Sequence, residues 1–502
     1  MGFQFHRHPF QHDLERDQYG FIRRKILAGG VAAVEREEPC QSCHNHSHLD
    51  AGSRSGPNSA IMNFLFARRH CSAPLLTLLA LFSATSLFAA EFQPKPDDAY
   101  FAKYAPLKAP APAGLLLQPG DRLAIIGDSI TEQRMYSRLL ETYLTVCVPE
   151  LKITTRQFGW SGETAEGFRH RMTNDCLRFS PTLATLCYGM NDHRYRAYDE
   201  PNGQWYSNNY AAVASALKAS GARIVLGSPG CVGKVPAWVG DQHAPVEDLN
   251  LNLCQFRNID IAIAAQEKIN FADVFWPMFT AGFTAHQKYG PDYAVSGKDG
   301  VHPDWAGHVI MAYAFLKGMG LDGELGTFTV DFGAGKAAVT EGHTLEAFTN
   351  NTLTITSRRY PFCATGALDH DNSIRSGMTL VPFNQELNRL TLVVKGGTAA
   401  DYAVTWGDET RDYSAAQLAA GVNLAEDFAV NPFSAAFAKV DAAVADKQKY
   451  ETRQIKDLFH GPEGKADPDA TAALTEKARQ PLADAIAAAF VPVTHTIRIQ
   501  PK

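Results

Sequence analysis

The chain has 502 residues, 45% of them hydrophobic and 20% charged, with a formal net charge of −6. This is ordinary for a soluble globular protein of two or three domains and excludes a collagen-like, disordered or multi-span membrane chain. With no basic excess to neutralise phosphates, a dedicated nucleic-acid binder is excluded as well.

The first ninety residues read as lying outside the mature fold. From Met62 the chain runs MNFLFARRHCSAPLLTLLALFSATSLFAAEF. Arg68 and Arg69 precede an apolar stretch of about Ala73 to Phe88, and small residues follow at Ala89 and Ala90. That order is a secretory signal peptide over 62–90, with cleavage near Ala89 or Ala90. A secreted or periplasmic protein with no stable membrane insertion is expected. Residues 1–61 then read as a non-native or disordered extension, from an over-long start. They contain Cys40-Gln-Ser-Cys43-His44, a haem-attachment spacing, with His46 and His48 beside it. A five-residue motif with no fold around it does not make a haem or metal site. Six cysteines remain after residue 90: Cys147, Cys176, Cys187, Cys231, Cys254 and Cys363. Export permits disulfides, but the sequence does not choose among fifteen pairings. Cys187 lies in an apolar run and reads as a buried thiol.

Strands and helices alternate through the middle of the chain. RLAIIG (122–127), KITTRQFG (152–159), TLATLCYG (182–189), ARIVLGSP (222–229) and INFADVF (269–275) read as strands. TLATLCYG is continuously apolar, as a strand buried on both faces should be. Helices are expected at about 132–147, 163–178, 207–220, 246–268 and 303–319. The pattern predicts an α/β fold: a three-layer α/β/α domain over 91–325 with a five-stranded parallel sheet. Active sites of such sheets lie at the carboxyl ends of the strands.

Four segments stand out there. Gly127-Asp128-Ser129-Ile130 follows the first strand and exposes a serine hydroxyl at a strand-to-helix junction. Gly159-Trp160-Ser161-Gly162 follows the second, where a glycine can bring a main-chain N–H close to a ligand. Gly189-Met190-Asn191-Asp192 follows the third, where an asparagine amide can donate into a cleft. Late in the chain, Asp299-Gly300-Val301-His302 has the spacing that lets a carboxylate reach an imidazole Nδ1–H. Taken singly these are a helix cap, two turns and a common spacing. Together they supply a nucleophile, a base, an orienting carboxylate and oxyanion donors.

The four segments resemble the sequence blocks of the SGNH or GDSL hydrolases, over about 120–320. GDSI (127–130) is similar to the first block, with Ile130 in place of leucine; Gly162 matches the second, GMND (189–192) the third and DGVH (299–302) the DxxH block. The resemblance implies an SGNH-type serine esterase with a flavodoxin-like sheet. It makes Ser129 the nucleophile, His302 the general base and Asp299 the third triad member. Gly162, Asn191 and the Ser129 amide would line an oxyanion hole. Asp128 would orient the loop by accepting main-chain N–H groups, with Gly189 and Asp192 in supporting places. No cofactor is implied, and the DxxH pair can be explained without a metal.

His193-Arg194-Tyr195-Arg196-Ala197-Tyr198 and Trp160 form an aromatic and cationic rim in this reading. Such a rim suits a small-molecule or polysaccharide acyl ester better than a long acyl chain, with acetyl preferred. O-acyl transfer by the same site and a carbohydrate-binding protein are the alternatives. From about 326 the pattern changes. TFTVDF (327–332), TLEAFTNNTLTITS (344–357), LTLVVKG (390–396) and DYAVTWGD (401–408) alternate as half-buried antiparallel strands do. Helices are expected near 434–459 and 469–490 and a closing strand at 495–500. Residues 326–502 therefore read as a C-terminal α+β accessory domain, strand-rich and then helical. Its helices either form a lobe or pack back on the hydrolase.

Overall fold

In a computed structural model the described residues are 91–502. The signal-peptide and haem-spacing expectations fall on residues outside that range.

Five parallel strands form the central sheet: β1 (Arg122–Gly127), β2 (Thr154–Gln157), β3 (Leu183–Cys187), β4 (Arg223–Gly227) and β5 (Asn270–Ala272), in the order β2-β1-β3-β4-β5. Alternation along β1 shows why both faces are covered. Leu123 and Ile125 enter one apolar core with residues of α2 (Tyr136–Val146) and α7 (Trp305–Gly318), which follows β5 in the chain. Ala124 and Ile126 enter another with α3 (Ala165–Asp175) and α4 (Glu200–Ala219). The short α1 (Ser129–Glu132) follows β1 directly, and α5 (Val246–Glu267) and α6 (Phe275–Tyr289) flank β5 in sequence. The fold is α/β, as the alternating pattern predicted.

Two elements differ from the sequence reading. The strand expected over 269–275 stops at Ala272, and α6 begins at Phe275. Asp273 accepts from the Trp276 N–H (3.3 Å) and pairs with buried Arg257, which turns the chain into that helix. Helix α4 begins at Glu200, earlier than expected, because Asp199 caps it and Pro201 sits in its first turn.

The strand-rich part packs two sheets face to face. One has the order β13-β10-β6-β7, from β6 (Glu324–Asp331), β7 (Lys336–Val339), β10 (Arg389–Lys395) and β13 (Val422–Asn423). The other runs β12-β11-β14-β9-β8, from β8 (His343–Thr349), β9 (Thr352–Ser357), β11 (Asp401–Trp406), β12 (Glu409–Ser414) and β14 (Val493–Pro501). Phe328, Leu392, Ile355, Val404 and Ile497 fill the space between them. Antiparallel pairing was expected throughout, but β6 and β10 run parallel. The long crossover between them, including α8 (Ile374–Met378) and α9 (Phe383–Leu387), makes that possible. The short α10 (Ala415–Ala420) and α11 (Leu424–Asp427) complete this part.

The helices α12 (Ser434–Arg453), α13 (Pro462–Ala466) and α14 (Pro468–Ala489) follow. Of these, α12 and α14 lie against the β2 edge of the parallel sheet. An open edge leaves main-chain groups without partners, and here side chains supply them. Lys447 Nζ and Arg479 Nη2 donate to the Thr155 carbonyl at 2.7 and 2.8 Å, and Glu451 accepts from the Gln157 N–H at 3.2 Å. Buried Lys447 also pairs with Glu141 and Glu451, each at 2.9 Å. Burial would raise the Glu451 carboxyl, but Lys447 and Arg479 hold it below the usual range.

Candidate active site

Strand β1 delivers Ser129 to the carboxyl end of the sheet. Asp128 caps α1, its Oδ1 accepting the Ile130 N–H at 3.0 Å, which fixes the serine at the first helical position. Ser129 Oγ lies 2.7 Å from His302 Nε2, and His302 Nδ1 lies 2.8 Å from Asp299 Oδ2. The Asp299 Oδ1 accepts the N–H groups of Val301 (2.9 Å) and His302 (2.8 Å), so one carboxylate both closes its turn and orients the ring. Burial would raise the Asp299 carboxyl. The imidazole and the two main-chain donors outweigh burial and hold it below its ordinary value. Two segments far apart in sequence, one carrying Ser129 and the other Asp299 and His302, thus form one hydrogen-bonded line.

The second and third segments meet beside it. Asn191 Nδ2 donates to the Glu163 carbonyl at 2.9 Å and lies 3.4 Å from Asp128 Oδ2. Asp192 joins the two segments, accepting the Ala165 N–H (2.9 Å) and the Gly189 N–H (3.0 Å). Gly162 has φ +74°, in the left-handed region that favours glycine, and open space where a Cβ would stand. Backbone conformation, not crowding, therefore sets the preference for glycine there. Behind the loop, Arg171 holds both Glu163 oxygens at 2.6 Å, and Tyr188 Oη donates to Oε2 at 2.6 Å. All three side chains are buried. Burial pushes the Asp128 carboxyl up to about 7, against the pull of the Ile130 N–H and of His302. Burial likewise pushes Asp192 up to about 7.

The rim differs from the sequence reading. His193 is buried, with Nδ1 against the Met190 carbonyl, and burial lowers it to about 4. Trp160 is half-buried, with its ring beside the Arg171 guanidinium (5.0 Å) and the His460 ring (4.8 Å). Arg194 is exposed but stacks over Trp205 at 4.4 Å. The exposed aromatic at the site is instead Trp238, 55% accessible, its ring 5.4 Å from that of His302. Trp238 comes from the loop after β4, the strand end that the four-segment reading passed over. Its signal was a tryptophan in the Pro- and Gly-containing stretch CVGKVPAWVG. Glu163, Arg171 and Tyr188 were also missed, since nothing local marks a buried polar trio drawn from three segments.

All six cysteines among the described residues are buried free thiols. Among the described residues no group of three or more His, Cys, Asp or Glu side chains could hold a metal ion. Among them, too, no helix is long and apolar enough to cross a membrane.

Residues 125–310 match the GDSL-like Lipase/Acylhydrolase family. An acetylxylan esterase of Geobacillus stearothermophilus is 27% identical over 222 residues, covering 40% of this chain and 95% of the relative. Among solved structures, a gut microbial diltiazem-metabolizing enzyme is similar over 78% of this chain and 100% of its own, with 21% identity and a TM-score of 0.63. A crystal structure of the Geobacillus stearothermophilus acetylxylan esterase is 23% identical, with a TM-score of 0.34, over 41% of this chain and 97% of that one.

Proposed function

The chain belongs, through residues 125–310, to the GDSL-like lipase/acylhydrolases and is a carboxylic ester hydrolase; from that premise we propose that Ser129, His302 and Asp299 act as a triad on short-chain, chiefly acetyl, esters of carbohydrates. The observation that carries this reading is the unbroken line from Ser129 Oγ through His302 to Asp299, at 2.7 and 2.8 Å.

A serine hydroxyl is a poor nucleophile until a base takes its proton. His302 Nε2 accepts that proton as Oγ attacks the ester carbonyl, while Asp299 steadies the imidazolium. The Ser129 and Gly162 N–H groups and the Asn191 amide receive the negative charge on the carbonyl oxygen. His302 then protonates the departing alcohol, and water releases the acyl group by the reverse steps. Two observations support a carbohydrate alcohol. Trp238 offers an exposed ring beside His302 on which a sugar face can stack. The 27%-identical relative is an acetylxylan esterase. We further propose that the protein is exported by its 62–90 segment, which sequencing of the mature N-terminus would test.

The test is hydrolysis of p-nitrophenyl acetate and of an acetylated xylo-oligosaccharide by wild type and Ser129→Ala, with p-nitrophenyl octanoate as the long-chain comparison. Turnover of both that is lost in the variant supports the reading. Turnover that survives in Ser129→Ala would refute the assigned nucleophile, and octanoate preferred to acetate would refute the short acyl group.

A further inference from the structure

The loop that presents Gly162 is exposed at Ser161 and Gly162 themselves. On its inner side it is pressed against α1: a Cβ on Gly159 would come within 2.2 Å of the Glu132 nitrogen. On its outer side it is held by residues almost three hundred positions later. Beyond α12 the chain continues as a wider π-helical turn, Gln454–Phe459, an irregularity found often at functional sites. Lys456 from that turn places Nζ 2.7 Å from Glu132 Oε1. The other oxygen, Glu132 Oε2, accepts both the N–H (2.5 Å) and the Oγ–H (2.6 Å) of Ser161.

Two further ties flank this one. Lys456 Nζ lies 5.4 Å from the Trp160 ring centre, and the His460 ring meets Trp160 edge-on at 4.8 Å. His460 Nε2 lies 2.7 Å from Asp175, which Arg171 also meets at 3.3 Å. Arg171 in turn forks Glu163, whose carbonyl holds the Asn191 amide. Residues 160, 161 and 163, on both sides of Gly162, are thus each linked to one short C-terminal segment.

We propose that Lys456 and His460 are positioning residues for ester hydrolysis, fixing the 160–163 loop so that its oxyanion donors are in place before the substrate arrives. The inference rests on the reading of Gly162 and Asn191 as oxyanion donors. Such donors work because they are preorganised and need no rearrangement during reaction, whereas an exposed loop without anchors is mobile. The electrostatics fit this task. Lys456 pairs with one Glu132 oxygen and leaves the other to accept both Ser161 donors. The C-terminal segment is therefore a working part of the site, although it touches no reacting atom.

The test uses the full chain and p-nitrophenyl acetate. Loss of one whole oxyanion donor costs about a hundred- to a thousandfold in kcat, so loosening the loop in Lys456→Met should cost about tenfold, with KM changed less than about threefold. Lys456→Arg keeps the cation and should recover most of the rate, and His460→Ala should lower kcat in the same way. Lys456→Met and Glu132→Gln act on one link, so the double variant should lose about as much as either single variant. A folded Lys456→Met with wild-type kcat overturns the proposal. So does a kcat loss that Lys456→Arg fails to recover, or one that only tracks a lower melting temperature. Ser129→Ala runs alongside: if it fails to abolish turnover, the triad reading falls, a result distinct from any of these.

Discussion

Replacing Asp299 by asparagine tests the site at the point where one side chain has two tasks. Its Oδ1 serves two main-chain donors, at 2.9 and 2.8 Å, and its Oδ2 serves His302 Nδ1 at 2.8 Å. Asparagine has one oxygen, and the two main-chain N–H groups claim it. The new NH2 then faces Nδ1, and a donor there favours the imidazole tautomer with its proton on Nε2. That proton points at Ser129 Oγ, 2.7 Å away, where an acceptor is needed. Loss of the correct tautomer costs about ten-thousandfold in kcat, or about 5 kcal/mol at about 1.4 kcal/mol per decade. The turn itself should persist, because both main-chain bonds can still form. The wild-type carboxyl sits below its ordinary value, so its charge stabilises the fold above the unfolded pKa of about 4 and that benefit is lost as pH falls through the folded value. The stability gap between wild type and variant should therefore close in acid. The assay is the initial rate on p-nitrophenyl acetate, with circular dichroism to establish folding. A folded Asp299→Asn within tenfold of the wild-type rate would refute the orienting role.

Three other outcomes are expected. Lys447→Met leaves Glu141 without its buried partner and removes one of the two cations on Glu451; breaking a buried pair costs about 3–5 kcal/mol, and a loss below 1 kcal/mol in urea titration would contradict the edge-capping role. Burial holds Asp192 up to about 7, so the folded state keeps a proton that the unfolded chain releases at about 4, and stability falls as pH rises through that interval. Asp192→Asn should flatten that slope, and parallel unfolding curves for wild type and variant between pH 5 and 8 would refute the assignment. Trp238→Ala should raise KM for an acetylated xylo-oligosaccharide about tenfold, equivalent to about 1.4 kcal/mol of lost stacking and contact, while leaving p-nitrophenyl acetate turnover near wild type; equal losses on both substrates would argue against a sugar platform.

The sequence was most legible where one local rule dominates. The apolar runs ending in glycine at Gly127, Gly189 and Gly227 mark strands buried on both faces, and the segments after two of them carry Ser129 and Asn191. It was least legible where a feature is assembled across the chain. Helix α6 opens with the aromatic run Phe275-Trp276-Pro277, whose proline sits in the first turn, where it is tolerated; a reader following apolar runs extends the preceding strand into it. The parallel pairing of β6 with β10 follows from the crossover, not from the strands' own alternation. Trp160, expected on the rim, is half-buried, and Trp238, to which the sequence reading gave no role, is exposed, because exposure is a tertiary property. Trp160 is covered by Arg171, Lys456 and His460, whereas Trp238 stays 55% accessible beside His302.

The same distinction explains why the C-terminal third carries no recognisable catalytic motif and is nevertheless bound into the site. A motif is visible when its residues act on the substrate, since the chemistry restricts their type and spacing. Residues that hold others in place face a looser requirement: a cation of the right reach for Glu132, a ring or guanidinium for Trp160, a lysine for the bare carbonyl of Thr155. Many sequences meet it, so the requirement leaves no local signature. Its mark is instead the concentration of ties on one edge of the sheet. Lys447, Glu451 and Arg479 close the β2 edge, and Lys456 and His460 close the loop that β2 leads into. An edge strand and the loop at its carboxyl end are the least restrained parts of a parallel sheet, and here that loop carries Gly162. Covering both with one helical arm couples the stability of the sheet edge to the geometry of the loop, so a substitution that loosens the arm should reach the reaction through Ser161 and Asn191 before it unfolds the sheet.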